Sequence, residues 1–426
     1  MLLPPRIIAV DDELPHLQGI VTGLNRSGWA CLQIHFPNDM ASVQPCSHVR
    51  LVFTDLHLVA GGATVEMTRN YSAVQSLLET KVIPTGPYLL VVWTRYPEDA
   101  QALEGYLRDR MVKKVPAPLS VLSLAKESHL DASGNVTDPD KLVAALRGLV
   151  NTNPQFSALL NWEQRVLGAA AAAVSEMQSL TKGAAPTPTL AQVIAQLASA
   201  AVGKQNVDTA RFQAVNEALL PILADLVGSL RRNASDDTIW AGAFAPTDLD
   251  VTLTDPVAAR LNRFVHVEQP FAAGGCYRGA VVKLPGSMSG KNFSRRFTIE
   301  PQGDVAKKQF GIKPGSGPDA WEWRLVQVQA ACDVAQKNPG PLPFVLAAEV
   351  KRSGADRNPL KAAWKSPWFT TPSGDARLMI NPRFLIDVPA STAARFKSVY
   401  RLREQIMVEV SHHIQAQGAR PGIISF

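Results

Sequence analysis

Short apolar runs alternate with segments of helical periodicity over the first third of the chain. Four runs are rich in β-branched and aliphatic residues and are bounded by residues that break regular structure, so each predicts a buried strand. They cover residues 6–10, 51–54, 88–93 and 119–125. After the first run, residues 14–24 place their apolar side chains on one face of a helix. Strands that alternate with helices predict right-handed βαβ crossovers and a parallel sheet.

Polar side chains stand directly after these four runs. Asp11 and Asp12 follow the first run, Asp55 the second, Thr94 the third and Lys126 the fourth. Because the carboxyl ends of parallel strands share the edge of an open sheet at which ligands bind, we expect these side chains to meet there. Three carboxylates, a hydroxyl and an ammonium group at one edge suit the Mg²⁺-dependent attachment of a phosphoryl group to an aspartate.

Each residue type has its own task in that chemistry. Asp55 is the candidate phosphoacceptor, because a carboxylate oxygen must attack the phosphorus of a phosphohistidine or of a small phosphodonor. Mg²⁺ prefers carboxylate oxygens and water, which makes Asp11 and Asp12 its candidate ligands together with Asp55. Lys126 would pair with the phosphoryl group as a point charge. Thr94 would donate a hydrogen bond to the same group.

The trio Asp11-Asp12-Glu13, with the aspartate, threonine and lysine at the later strand ends, resembles the receiver domain of two-component response regulators. The resemblance covers residues 1–130 and implies a doubly wound five-stranded parallel sheet of flavodoxin-like order. It also implies Mg²⁺, phosphorylation by a histidine kinase, and the main-chain carbonyl of His57 as a further Mg²⁺ ligand. On this resemblance the chain is a bacterial signal-transduction protein, a phosphoacceptor that controls a C-terminal output rather than a turnover enzyme.

Several positions depart from the receiver pattern. Receivers usually follow the lysine with proline, where this chain has Glu127, and the threonine with a small residue, where it has Arg95. The aromatic switch residue expected on the fifth strand is absent, and Leu122 and Ser123 stand there. The sequence therefore predicts a divergent receiver. The alternative is a pseudo-receiver that acts as an interaction module, with a kinase-like ATPase as partner in a stress or anti-phage system.

Three domains are predicted along the chain. They are a receiver-like domain over residues 1–135, a helical connector or bundle over residues 136–234, and a basic α+β output domain over residues 235–426. In the middle region, periodicity predicts helices at residues 141–152, 161–180, 190–202 and 208–232. Such a region serves as a bundle, a connector or a dimerisation element, so a homodimer is one arrangement that it would support.

The last region predicts both strands and helices. Strands are expected at residues 263–267, 279–284, 296–299, 344–350 and 383–388. Helices are expected at residues 321–337 and 393–416.

Charge is unevenly distributed. The chain carries 43 Lys and Arg against 37 Asp and Glu, and residues 260–426 alone hold 24 basic and 12 acidic residues. A basic half predicts a polyanionic partner or an acidic docking surface. Within it Lys351, Arg352, Lys361 and Lys365 lie among tryptophans, and nucleic-acid-binding proteins combine bases stacked on aromatic rings with cations that hold phosphates. Nucleic-acid binding is thus a further alternative, beside the interpretation that these tryptophans belong to the core and its rim.

A second acidic pattern, Glu349-Val350-Lys351, ends the apolar run of residues 344–348. A strand that ends in Glu-x-Lys occurs in one class of Mg²⁺-dependent nucleases. The upstream aspartate on a neighbouring strand is missing, and Asp333 falls on a predicted helix, so we interpret these residues as solvated charges at a strand end. The chain contains no P-loop pattern, so its sequence does not support ATP hydrolysis.

Composition predicts a globular cytoplasmic protein with no membrane association. Hydrophobic residues make up 46% and charged residues 19% of the chain, and no apolar stretch approaches the ~20 residues of a membrane span. The first five residues are too short and too broken for a signal peptide. The four cysteines form no CxxC pair, which argues against structural zinc and a disulfide framework and fits a reducing compartment.

Overall fold

The computed structural model describes residues 4–59, 64–83, 85–94, 99–111, 117–131, 133–182, 187–208, 211–229, 234–271, 273–298, 300–312, 319–335, 340–352 and 363–418. The chain forms two compact units. The first consists of residues 1–165 and 231–248, and the second of residues 166–230 and 249–426.

An all-parallel sheet lies at the centre of the first unit. Its strands are β1 (Ile7–Asp11), β2 (Cys31–His35), β3 (Leu51–Asp55), β4 (Leu89–Thr94) and β5 (Ser120–Ala125). They lie in the order β2-β1-β3-β4-β5. This is the flavodoxin-like order, which confirms the predicted α/β sheet, and its topological switch point falls between β1 and β3.

Helices cover both faces of this sheet. They are α1 (Leu14–Arg26), α2 (Thr64–Lys81), α3 (Ala100–Arg110), α4 (Pro139–Asn151) and the first turns of α5 (Pro154–Ser179). Val52 and Val92 belong to the core that α2 and α3 close, whereas Phe53 and Trp93 belong to the core that α1 and α4 close. Because side chains alternate between the two faces of a strand and both faces are covered, β3 and β4 are buried along their whole length.

Helical periodicity identified the middle region well. Its further helices are α6 (Leu190–Val202), α7 (Lys204–Val207), α8 (Arg211–Ser229) and α9 (Ala234–Ala243). The helices predicted from residues 141, 190 and 208 begin within three residues of those positions, and the one predicted from residue 161 begins at Pro154. Thr189 forms a capping box with Gln192 at the start of α6. Such reciprocal bonds satisfy amide groups that the first turn of a helix leaves without partners.

An antiparallel sheet organises the second unit. Its strands are β6 (Val267–Glu268), β7 (Ala280–Lys283), β8 (Trp321–Gln327), β9 (Leu342–Lys351), β10 (Trp364–Lys365), β11 (Phe369–Thr371), β12 (Gly374–Val388) and β13 (Ser398–Leu402). They lie in the order β10-β12-β9-β8-β7-β13-β6, and β11 pairs with β12. The helices of this part are α10 (Asp255–His266), α11 (Lys291–Arg296), α12 (Gln302–Phe310), α13 (Ala331–Ala335), α14 (Ala390–Ala393) and α15 (Glu404–Gly418). The strands predicted at residues 279–284, 344–350 and 383–388 are confirmed.

Two predicted strands of this unit are wrong. Residues 263–266 end α10, which begins with an acidic residue and a proline after Thr254. Proline fits the first helical turn because its missing N–H would have no partner there in any case, so this pair marks the start of a helix and not of a strand. Residue 296 ends α11, and residues 297 and 298 form no strand.

Two predicted helices are also wrong. Residues 321–327 form β8, which pairs with β7 on one side and β9 on the other, and up to residue 335, where the described stretch ends, only the short α13 follows. Residues 393–416 hold the end of α14, the strand β13 and most of α15 instead of one helix. In both places pairing with distant strands decides the backbone conformation against local periodicity. Among the described helices, none is both long and apolar enough to span a membrane.

Candidate functional site at the carboxyl edge of the parallel sheet

Four of the predicted site residues come from neighbouring strands of the parallel sheet. Asp11 is the last residue of β1, Asp55 of β3 and Thr94 of β4, and Lys126 directly follows β5. All four strands run in the same direction, so these residues lie at one edge of the sheet, as predicted. This edge is where open α/β sheets bind their ligands.

Lys126 joins two of the carboxylates. Its Nζ donates to Asp55 Oδ2 at 2.6 Å and to Asp11 Oδ2 at 3.0 Å. The three side chains are almost inaccessible to solvent, with exposed fractions of 6% for Lys126, 8% for Asp55 and none for Asp11. Charge-assisted bonds of this kind are among the strongest that a protein forms.

Asp12 adds a third carboxylate to the edge. Carboxylate oxygens of Asp11, Asp12 and Asp55 all lie within 4.8 Å of one another, and we call these three residues the acidic cluster. Asp12 is only half-buried, so the cluster is open to solvent on its side. A compact set of carboxylate oxygens is the donor type that hard divalent cations prefer.

The protonation equilibria of the edge reflect its surplus of negative charge. Burial, with the charge of Asp55 adding to it and Lys126 opposing it, raises the pKa of Asp11 to about 7 from its usual 3.8. Burial and then the charge of Asp55 also raise the pKa of Asp12. Burial disfavours the charge of Lys126, but the charges of Asp55 and Asp11 outweigh it and raise the pKa of that ammonium group. One ammonium group therefore does not balance three carboxylates, and a further cation would be stabilised here.

Main-chain amides fix the remaining oxygens of the two buried carboxylates. The amide of Glu13 donates to Asp11 Oδ1 at 2.9 Å, and the amide of His57 donates to Asp55 Oδ1 at 3.1 Å. Each aspartate thus points one oxygen at the amide two residues ahead and the other at Lys126. The predicted role of the His57 carbonyl as an Mg²⁺ ligand stays a prediction.

One residue of the edge was missed by the sequence analysis. His35 ends β2, opposite Asp11 in the register of the sheet, and its Nε2 lies 3.0 Å from the main-chain oxygen of Asp12. Its Nδ1 lies 3.1 Å from Asn38 Nδ2, so Nε2 carries the proton if the amide of Asn38 donates. The ring therefore braces the main chain at Asp12, a member of the acidic cluster. The signal that could have found it is its position at the end of β2.

Aromatic rings lie behind the edge, although not where receivers carry their switch residue. Trp93, next to Thr94, stacks on His129 with ring centroids 5.9 Å apart and packs against Phe53 at 5.7 Å. Trp93 and His129 are both buried. Glu127, which stands where proline is usual, is exposed in the turn after β5. Arg95 lies outside the described residues.

The basic candidates of the second unit do not form one open row. Arg352 pairs with Asp255 and Asp375, and its guanidinium lies 5.1 Å from the centre of the Trp368 ring. Lys351 ends β9 and Lys365 ends β10, both half-buried, and Lys361 lies outside the described residues. Two of the tryptophans among these residues, Trp323 and Trp364, are buried in core clusters, as the core interpretation expected.

Glu349 is not the solvated strand-end charge that the sequence suggested. Its exposed side-chain fraction is 4%, and Arg324 donates to both of its oxygens. The hydroxyl of Tyr400, on β13, donates to Glu349 Oε2 at 2.7 Å. Both oxygens are thus occupied by partners in the core of the sheet, which assigns Glu349 to a buried ion-pair network.

Three comparisons with known proteins identify no relative of this chain. A scan against protein-family models, a search of curated proteins and a search of solved structures each return no match.

Proposed function

We propose that the first unit contains a divergent receiver domain in which Asp55 accepts a phosphoryl group. The observation that carries this proposal is the meeting of Asp11, Asp12, Asp55 and Lys126 at the carboxyl edge of a parallel sheet of order 2-1-3-4-5. Ordinary strand-end charges are solvated, whereas Asp55 and Lys126 are buried and bonded to each other. A buried carboxylate paired with a buried ammonium group at a ligand-binding edge is typical of a chemical role.

In the proposed reaction, a carboxylate oxygen of Asp55 attacks the phosphorus of a phosphohistidine or of acetyl phosphate. A new oxygen–phosphorus bond forms while the bond from phosphorus to the histidine nitrogen or to the acetate oxygen breaks. The electron pair of that bond leaves with histidine or acetate. The hydrogen bond from Lys126 to Asp55 Oδ2 must weaken as the phosphoryl group approaches that carboxylate. Lys126 then pairs with the phosphoryl oxygens.

The acidic cluster would hold a divalent cation, for which we propose Mg²⁺. The close set of carboxylate oxygens and their surplus of negative charge fit such an ion, and the His57 carbonyl would be a further ligand. When bound, the ion supplies positive charge that offsets the negative charge on the reacting oxygens. Asp12, the member open to solvent, lies on the side from which a phosphodonor would enter.

Thr94 would bond the phosphoryl group after transfer. It is buried at the end of β4, opposite Ala125 and therefore one residue from Lys126. The tryptophan beside it reaches His129, so a shift of Thr94 would act on the aromatic stack and on the core under α1 and α4. Addition of a phosphoryl group with about two negative charges is a local change that can shift such a packing equilibrium.

The test is the intact mass of the full chain after incubation with Mg²⁺ and acetyl phosphate. We expect the wild type to gain the mass of one phosphoryl group, and Asp55→Asn to gain none. Asp140→Asn, an exposed aspartate on α4, is the matched control and should label like the wild type. A wild-type chain that never gains this mass would contradict the proposal.

A second function, an interaction module without phosphorylation, is favoured by one observation. Both oxygens of Asp55 already have partners, the His57 amide and Lys126, so this carboxylate is fully hydrogen-bonded before any phosphodonor arrives. In this case a partner protein, such as a kinase-like ATPase, would dock on the edge. Calorimetric Mg²⁺ titration separates the two functions, since a phosphoacceptor site must bind Mg²⁺ through Asp12 whereas a docking surface does not require it.

A further inference from the structure

A cleft in the second unit has the size of a ligand site. It has a volume of about 460 Å³ and is lined by Arg263, Gln269, Phe271, Thr371, Pro372 and Val399, and we call it the Arg263 cleft. Its walls come from α10, the segment after β6, the turn at β11 and strand β13. Sites for small molecules commonly span 300–1,000 Å³, have mostly apolar walls and carry a few polar groups.

The cleft has a positive group without an acidic counterpart. Arg263 donates from Nη2 to the main-chain oxygen of Gln269 at 3.1 Å, which fixes the guanidinium at the wall. Among the described residues, no carboxylate pairs with Arg263 and no Asp or Glu lines the cleft. A guanidinium group has five N–H donors in a planar fork that matches a carboxylate. Arg263 is therefore suited to bind an anionic group in the cleft.

The remaining walls favour an apolar body on the same ligand. Phe271, Pro372 and Val399 present carbon atoms, and Tyr277 braces the Phe271 ring edge-on at 5.7 Å. The hydroxyl of Thr371 is already used, because it donates to the main-chain oxygen of Gly374 at 2.7 Å. An inorganic anion would leave these carbon surfaces in contact with water, so an organic anion fits the cleft better.

Gln269 adds one unsatisfied acceptor. Its side-chain Oε1 is buried and has no hydrogen-bond partner among the described residues. Buried acceptors without partners are uncommon, and each one calls for a structural or functional reason. A turn of the Gln269 amide toward the cleft would let Oε1 accept a hydrogen bond from a ligand.

We propose that the Arg263 cleft binds a small organic acid with an apolar body and a hydrogen-bond donor close to its carboxylate. The carboxylate pairs with Arg263, the apolar body packs on Phe271 and Val399, and the donor meets Gln269. Binding of such an acid would give the second unit a sensory role of its own. It is independent of the chemistry proposed for Asp55.

The test uses 3-phenyllactate, which has an aromatic ring, a carboxylate and an adjacent hydroxyl, and measures its binding to the full chain by calorimetry and by saturation-transfer NMR. Two analogues each lack one group: 3-phenylpropionate lacks the hydroxyl, and 3-phenyl-1,2-propanediol lacks the carboxylate. We expect 3-phenyllactate to bind most tightly. The affinity of 3-phenylpropionate should be lower by about threefold, and that of the diol by at least about tenfold. Absence of 3-phenyllactate binding, or equal binding of the diol, would overturn the proposal.

Variants locate the site. Arg263→Met should weaken 3-phenyllactate binding by about tenfold or more, and Arg263→Lys, which keeps the charge but not the fork, should weaken it less. Arg260 is an exposed arginine on the same helix, and Arg260→Met should bind 3-phenyllactate like the wild type. Gln269→Leu should bind 3-phenyllactate and 3-phenylpropionate with equal affinity. Thermal unfolding of each variant checks that the unit is folded. Folded Arg263→Met with wild-type affinity would contradict the proposal.

Discussion

Lys126 Nζ lies 2.6 Å from Asp55 Oδ2 and 3.0 Å from Asp11 Oδ2, so one ammonium group spans two buried carboxylates from different strands. The contact connects the ends of β1, β3 and β5 and so spans four neighbouring strands of the sheet. A third carboxylate, Asp12, lies close enough that Lys126 alone does not balance the charge. Stability of the first unit and cation binding should therefore both depend on this contact.

Lys126→Met should destabilise the first unit by about 3 kcal/mol at pH 8, because Asp11 and Asp55 lose the cation that both contact. The loss should be smaller at pH 5, where protonation of Asp11 relieves the repulsion. Urea unfolding followed by circular dichroism measures this difference. Lys204→Met, an exposed lysine on α7, is the control. Equal loss at both pH values would refute the electrostatic explanation.

Stability should also depend on pH through Asp11. The pKa of Asp11 is about 7 in the folded chain, and its usual value is 3.8. Between these values the folded state binds a proton that the unfolded state does not, so this group makes the free energy of unfolding fall as pH rises from 4 to 7. The slope from one such group is at most about 1.4 kcal/mol per pH unit.

Comparison of the wild type with Asp11→Asn isolates that slope. The free energy of unfolding, measured in urea at pH 5, 6 and 7, should fall with pH more steeply in the wild type than in the variant. Asp140→Asn should keep the wild-type slope, since Asp140 is exposed. Parallel curves for the wild type and Asp11→Asn would show that Asp11 titrates alike in the folded and unfolded chains.

Asp12→Ala should weaken Mg²⁺ binding by about tenfold or more, because it removes the solvent-facing member of the acidic cluster. Calorimetric titration of the full chain measures the affinity, and Asp140→Asn again serves as the control. Unchanged affinity in Asp12→Ala would place the ion elsewhere on the chain.

The sequence placed the acidic cluster well because parallel strands bring their carboxyl ends to one edge wherever their buried runs end. It missed His35 because the polar Gln33 interrupts β2, so no continuous apolar run marks that strand. The second unit was harder to predict. Arg324 lies within β8, and local periodicity suggests the polar face of a helix. Its actual partner is Glu349, farther along the chain, which also accepts a hydrogen bond from Tyr400. Such long-range pairing leaves no local periodicity.

The network around Glu349 should contribute to folding and not to metal chemistry. Glu349→Gln should destabilise the second unit by about 3 kcal/mol, because the buried charge of Arg324 loses its buried ionic partner and keeps only the half-exposed Glu322. Tyr400→Phe should lower the free energy of unfolding by about 1.5 kcal/mol, because it removes one hydrogen bond to a charged group and leaves the ion pair in place. Glu322→Gln, which removes a half-exposed partner of Arg324, should cost less than about 1 kcal/mol. Chemical denaturation ranks the three variants, and the reverse ranking would contradict the assignment.

The most direct measurement of the central claim locates the phosphoryl group on the chain. After reaction with acetyl phosphate and Mg²⁺, borohydride reduces an aspartyl phosphate to homoserine, and peptide mass spectrometry then identifies the altered position. We predict conversion at Asp55, with Asp11 and Asp12 unchanged, and no conversion when Mg²⁺ is removed by chelation. An unmodified Asp55 in the labelled wild-type chain, or conversion at a different carboxylate, would contradict the account.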